Sequence, residues 1–310
     1  MNKINIKYIQ IFIIITIIIL IIFAIIKSIN NIFRNKKEIT LPNFNSGNVL
    51  SSYLFHIYKS YLNNESYIIF YNIPEILRDI IPSKISINRK IPNKTKNYLK
   101  KLEKKYNLFQ EGFWSYKIFI KHINFILKDN IKLQKNKDID IDCLIHIRCS
   151  DVPFERNDYY HLILFKWYID AINICKSKIN IEQITILICN THPNREIDDI
   201  KKEKCNEWTN LLINYIETNL KIKCKLECSN LDNDIQKLIN CKSLITTSSS
   251  LSFTLGLLSD NILVYLSDEY ETISMDCVKV RDNSYCLKKQ FIKHRDIEDY
   301  YNFNNKRLLS

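Results

Sequence analysis

From Asp138 to Leu266 the chain alternates between short β-branched runs and longer amphipathic ones. Strands are predicted over residues 139–147, 184–189, 221–227, 243–247 and 262–266. Helices are predicted over 159–175, 195–220 and 234–241 and around Phe253. Adjacent strands separated by helices must run parallel, because each return to the same direction needs a crossover over one face of the sheet. This half of the chain is therefore predicted to be an α/β unit with a parallel sheet. In open sheets of that kind, ligands bind beyond the carboxyl ends of the strands, where the loops leave a crevice.

The ends of two predicted strands carry the polar residues that matter. The run Leu144-Ile145-His146-Ile147-Arg148-Cys149-Ser150-Asp151 passes from a buried pattern directly into a histidine, an arginine and an aspartate. An arginine fixed at a strand end keeps its charge and can make two parallel hydrogen bonds to a phosphate. The plain alternative is a surface ion pair between Arg148 and Asp151, worth little. The second run is Leu244-Ile245-Thr246-Thr247-Ser248-Ser249-Ser250-Leu251-Ser252-Phe253, hydroxyls at a strand-to-helix junction. A helix N-terminus offers free N–H groups and a positive dipole end to an anion. One serine there would serve as an N-cap; the unbroken stretch from Thr246 to Ser250 favours a ligand site. Asp138, Asp140 and Asp142 spell D-x-D twice, a manganese signature in metal-dependent transferases. Their alternation into the strand reads instead as a polar strand face, and no metal is expected.

Glycine appears only 3 times and proline 6, while isoleucine, asparagine and lysine abound. Such a skew leaves glycine where nothing else will do. Gly47 lies in Ser46-Gly47-Asn48, ahead of a helical pattern through Tyr53, Phe55 and Tyr58 and a strand at residues 67–71. Gly112 opens Gly112-Phe113-Trp114-Ser115-Tyr116, which leads into an amphipathic helix from Ile118 to Leu127. Residues 74–107, broken by Pro74, Pro82 and Pro92, read as basic and irregular.

The net charge of +12 comes from scattered lysines. Without zinc-finger spacing, RNA-binding aromatics or an arginine-rich arm, it does not indicate nucleic acid. All 10 cysteines lie between Cys143 and Cys286, with no C-x-x-C pair, so zinc ligation is not expected. Cys143, Cys189 and Cys241 read as small buried side chains. Cys205, Cys224, Cys228, Cys277 and Cys286 are the candidates for disulfides if the domain is lumenal.

The run from Ile9 to Ile26 is apolar apart from Gln10 and Thr16. As a helix it would span about 27 Å, enough for a bilayer core. Lys3 and Lys7 precede it, whereas Lys27, Arg34, Lys36 and Lys37 follow it. That count would keep the large C-terminal part in the cytosol. The sequons at Asn64 and Asn93 are compatible with the opposite, lumenal side.

In this order the blocks resemble those of the GDP-fucose-dependent α-1,2-fucosyltransferases (glycosyltransferase family 11) and their inverting GT-B-like relatives. Ser46-Gly47-Asn48 with Phe55 is similar to the family's G-G-L-G-N-Q block, and Gly112 through Phe119 to its G-Y-[FW]-Q-S-x-K-Y-F block. His146-Ile147-Arg148-Cys149-Ser150-Asp151 is similar to its H-V-R-R-G-D block. Asp234 through Cys241, followed by Ser249-Ser250-Leu251-Ser252, is similar to its D-x-x-x-M-x-x-C…N-S-S-F-S block. Cys149 stands where the family has a second arginine, and Arg156 is its nearest replacement.

The resemblance implies two Rossmann-like lobes with parallel sheets behind one transmembrane helix. The divisions are a tail at 1–8, an anchor at 9–27, a stem at 28–44, an acceptor-side lobe at 45–136 and a nucleotide-sugar lobe at 137–310. It also implies a Golgi or other endomembrane enzyme that transfers fucose from GDP-fucose to a glycan hydroxyl without cofactor. Arg148 and Asp151 would be catalytic, with Gly47, Asn48, His146, Arg156, Ser248, Ser249, Ser250 and Ser252 binding substrate. A transferase of the same architecture using another nucleotide sugar, or a catalytically silent glycan-binding protein, are the alternatives.

Overall fold

A computed structural model describes residues 14–27, 36–41, 46–105, 116–133, 136, 138–148, 163–189, 199–247, 249–266, 269–270, 273–274 and 280–288. Residues 14–27 form helix α1, with every side chain exposed. No helix among the described residues is long and apolar enough to cross a membrane; the apolar run begins at Ile9, ahead of them.

The C-terminal half is built on a six-stranded sheet. Its strands are β4 (Cys143–Arg148), β5 (Gln183–Cys189), β6 (Lys223–Glu227), β7 (Ser243–Thr246), β8 (Ile262–Leu266) and β11 (Ser284–Leu287). Their order is β11-β8-β7-β4-β5-β6, and every neighbouring pair is parallel. Leucine and isoleucine form the middle of both β4 and β7, strands buried almost throughout, as expected of central parallel strands covered on both faces.

Alternation along each strand sorts the side chains into two cores. Cys143, Ile145, Ile147, Ile184, Ile186 and Ile245 face helices α5 (Phe165–Lys176) and α6 (Asp199–Leu220), where Phe165, Trp167, Tyr168 and Trp208 pack. Leu144, Leu187, Leu244 and Leu263 face helices α7 (Leu231–Asn240) and α8 (Ser250–Leu258). Asn230 caps α7 by accepting from the Asn233 N–H at 2.9 Å, and Asp232 and Asp234 complement its dipole. Gly256 on α8 sits where a Cβ would come within 2.6 Å of Leu263 Cδ1 and 2.9 Å of Leu244 Cδ2. Its backbone conformation is ordinary, so the requirement is the missing side chain, which lets the helix approach the sheet.

The N-terminal half departs from the expected second Rossmann-like lobe. Its sheet has three strands, in the order β1-β2-β3: β1 (Lys36–Thr40), β2 (Tyr67–Tyr71) and β3 (Lys84–Ser86). The first pair is parallel and the second antiparallel. Strand β1 lies inside the stretch expected to be a stem. Residues 46–48, expected as a loop, open helix α2 (Ser46–Leu62). The stretch expected to be irregular holds β3 and helix α3 (Asn93–Lys105), and helix α4 (Tyr116–Asn130) follows. A hairpin of β9 (Glu269–Tyr270) and β10 (Ile273–Ser274) lies late in the chain.

Helix α2 packs on both α4 and α8, and one apolar cluster runs from Ile39 on β1 through Tyr53 and Leu54 to Leu244 and Phe253. The two halves therefore share a core. Asp138, Asp140 and Asp142 precede β4 rather than forming a strand face. Lys242 Nζ pairs with Asp140 at 2.8 Å and with Asp142 at 2.7 Å, and the Glu182 N–H donates to Asp142 at 3.1 Å. The Lys242 hydrogen bond holds the Asp142 carboxyl below its usual range. These carboxylates tie strand starts together. Cys224 and Cys228, candidates for disulfides, are free thiols, whereas Cys205 and Cys286 are disulfide-bonded. Cys277 lies outside the described residues.

Candidate functional site

Strand β4 is the first strand of its sheet in chain order and lies at the centre. The chain fills β5 and β6 on one side of it, then returns to fill β7, β8 and β11 on the other. This reversal lies between β4 and β7, and in an open α/β sheet such a switch point leaves a crevice beyond the strand ends. The register pairs His146 with Thr246, and β4 continues to Arg148. With a period of two, His146 and Arg148 lie on the face that α7 and α8 cover. Arg148 and the N-terminus of α8 thus belong to the same end of the same seam.

The hydroxyl run divides into separate tasks. Ser249 is the N-cap of α8, its hydroxyl accepting from the Ser252 N–H at 3.4 Å. The Ser252 hydroxyl meets that of Thr246 at 2.5 Å, and both side chains are fully buried. Thr247 Oγ1 donates to the His146 carbonyl at 3.4 Å, stitching β7 to β4. Capping and stitching therefore employ Ser249 and Ser252, which the sequence suggested for a ligand. The N–H groups of Ser250 and Leu251, in the first turn of α8, have no acceptor within the helix. They are the donors this helix mouth can offer an anion.

His146 is 4% exposed, and its Nδ1 is buried with no hydrogen-bond partner among the described residues. Burial, assisted by the charge of Arg148, pushes its pKa down to about 4. The ring is neutral at physiological pH and adds no charge at the strand end. Arg148 itself is half-buried.

Gly47 and Asn48 stand in the first turn of α2, the helix that packs along α8. Asp151, Arg156 and Ser248 lie outside the described residues, as do Gly112 and the residues after it up to Ser115.

A polar cluster not singled out from the sequence lies at the carboxyl end of β6. Lys237 pairs with Glu227 at 2.5 Å and donates to Ser229 Oγ at 3.0 Å, and Ser229 donates to Asp234. Burial raises the Asp234 pKa against the pull of Ser229 and Lys237. Burial also acts to raise Glu227, but Lys225 and Lys237 outweigh it and hold that carboxyl low. Only the Asp234-to-Cys241 block marked this place in the sequence; the other partners converge through the β6–α7 turn.

A cavity of about 520 Å³ lies at the opposite edge of the sheet, where β8 and β11 begin. Lys128, Lys132, Asp260 and Arg281 are among its lining residues. Arg281 there donates to the Gly256 carbonyl at 2.9 Å and to Asn261 Oδ1 at 2.8 Å, and burial lowers its pKa to about 10. These bonds hold the α8–β8 turn, so the cavity is not the switch-point crevice.

No protein-family model matches the chain, and no curated protein matches it. Among solved structures it is similar to the E. coli ADP-heptose LPS heptosyltransferase II, at 12% identity and a TM-score of 0.40, over 88% of this chain and 98% of that one. A likeness that slight identifies neither family nor activity, and the site is read from its own geometry.

Proposed function

We propose that this chain is a membrane-anchored, inverting glycosyltransferase whose nucleotide-sugar donor lies with its diphosphate across the ends of β4 and β7. One observation carries the reading: the switch point falls between the strand that ends in Arg148 and the strand that feeds the N-terminus of α8. A guanidinium and a helix mouth at one seam suit a diphosphate, which is anionic in the ground state and more so as it leaves.

In the reaction the bond from the sugar's anomeric carbon to the diphosphate oxygen breaks. The acceptor hydroxyl forms the new bond from the opposite face, and its proton passes to a carboxylate, for which Asp151 is the candidate. Arg148 and the N–H groups of Ser250 and Leu251 take up the charge on the leaving diphosphate. Neutral His146 leaves that role to Arg148. GDP-fucose is the donor of choice because the four sequence blocks resemble those of GDP-fucose enzymes. The apolar run that includes α1 is the anchor, and a Golgi or related endomembrane is its proposed location.

The test is calorimetric titration of the full chain in detergent with GDP-, UDP-, ADP- and CMP-sugars, followed by transfer assays on a glycan panel. Preferential binding of one donor, with product of inverted anomeric configuration, supports the proposal. Binding of none would refute it. Tight binding without turnover on any acceptor would instead favour a silent glycan-binding protein, the reading to which Cys149 and the internally engaged Ser249 and Ser252 lend weight.

A further inference from the structure

We infer that the exposed face of α3 rests on anionic phospholipid headgroups of the membrane holding the chain's own N-terminal helix, an inference that rests on the proposed anchor. Lys94, Lys100, Lys101 and Lys104 are exposed on α3, with Tyr98 among them at 47% exposure. The opposite face carries Leu99 and Glu103, both buried. Glu103 is the only carboxylate of the helix, and it is engaged by Lys59 at 2.8 Å. None of the four exposed lysines has a carboxylate partner among the described residues.

Lysine abundance across the chain does not by itself produce such a face. Helix α6 carries Lys201, Lys202 and Lys204, but intersperses Asp199, Glu203 and Glu207, and two of its lysines are paired within the helix. Helix α3 turns one sign of charge outward, with an aromatic residue whose ring and hydroxyl suit a headgroup boundary.

The tether keeps the domain that carries this face near the bilayer. The described part of α1 runs to residue 27 and β1 begins at Lys36, so the residues between reach at most about 30 Å whatever their path. Ile39 of β1 and Leu99 of α3 belong to one core cluster, so α3 cannot swing away from β1. Clustered lysines on a domain tethered that closely to a bilayer are attracted to anionic headgroups, and salt weakens the attraction.

The experiment is amine-acetylation footprinting of the full chain inserted in nanodiscs of phosphatidylcholine alone or with phosphatidylserine added, read by peptide mass spectrometry. Acetylation of Lys94, Lys100, Lys101 and Lys104 is expected to slow by at least about threefold in the serine-lipid discs and to recover in high salt. Exposed Lys166 on α5 should not change. Equal rates in both discs, or the same slowing at Lys166, would overturn the inference alone. A chain that enters neither disc would overturn it together with the anchor.

Discussion

His146 and Thr246 are register partners on neighbouring parallel strands, and the hydroxyl of the next residue, Thr247, donates to the His146 carbonyl at 3.4 Å. This pairing brings the end of β4 level with the entry to α8. It turns two polar runs, about a hundred residues apart in sequence, into one edge. It also separates the residues that build the β4–β7 seam from the one that extends beyond it. Thr246, Thr247, Ser249 and Ser252 are committed to strand and helix, while Arg148, in register with Cys189 of β5, ends β4 two residues past the last one paired with β7.

Arg148→Ala is expected to remove most of the transition-state stabilisation offered to a departing diphosphate. Losing such a donor costs about 3–4 kcal/mol, or roughly a hundredfold or more in kcat. The residue is half-buried at a strand end, so the fold should survive. Transfer assays alongside thermal melts check both parts. Arg148→Lys should recover only part of the rate, because an ammonium lacks the planar fork. Near-wild-type transfer by Arg148→Ala would remove the arginine from the reaction.

The buried histidine predicts how stability responds to acid. Its folded pKa of about 4 lies below the ordinary histidine value, so the unfolded chain takes up a proton first as pH falls. Stability from this group is intact above the unfolded pKa, near 6.5, and is lost as pH falls from there toward 4. Between pH 7 and pH 5 the loss is about 2 kcal/mol. Burial lowers His56 and His122 as well, with help from Lys37 and Lys121, and they add to the same slope. Urea unfolding at the two pH values should show a shallower acid loss for His146→Gln than for the parent. Parallel pH dependences would contradict the buried neutral ring.

The sheet of the C-terminal half is legible because its strands, such as Leu144-Ile145 and Leu244-Ile245, are uninterrupted apolar runs divided by amphipathic helices. Strand β1 is not, since Lys36-Lys37-Glu38-Ile39-Thr40 buries only Ile39 and owes its strand to pairing with β2. Helix α3 is hidden for a related reason. Leu99 and Leu102 are its only aliphatic residues among lysines, and its place is fixed by the pairing of Glu103 with Lys59 across to α2. At the site, Arg148 and the serine run can be found by inspection. Which hydroxyls are already employed depends on strand order and register, which no local pattern contains.

Gly256→Ala is a test of how tightly α8 is set against the sheet. Alanine favours a helix over glycine by about 1 kcal/mol. Its methyl group would, however, meet Leu263 and Leu244, whose side chains are fully buried and have little room to turn. Overpacking of that kind costs about 1–3 kcal/mol, so a net loss of about 1 kcal/mol is expected in chemical denaturation. Gly256→Val, larger and less suited to helix, should lose more. A stabilised alanine variant would mean that the helix can lift without penalty.

The cysteines offer a reading of compartment that opposes the flanking charges. If the apolar run is an anchor, the charge count of Lys27, Arg34, Lys36 and Lys37 after it would keep the domain in the cytosol. The disulfides at Cys205 and Cys286 belong to an oxidising compartment. Alkylation with and without prior reduction separates the two. In the native chain exposed Cys228 should react first. Cys224 should lag, because burial pushes its thiol up to about 12, and buried Cys143, Cys175 and Cys241 should react only on unfolding. If the domain is lumenal, Cys205 and Cys286 of protein taken from cells will resist alkylation in denaturant until a reductant is added. Alkylation of both before any reduction would place the domain with its flanking charges, on the cytosolic side.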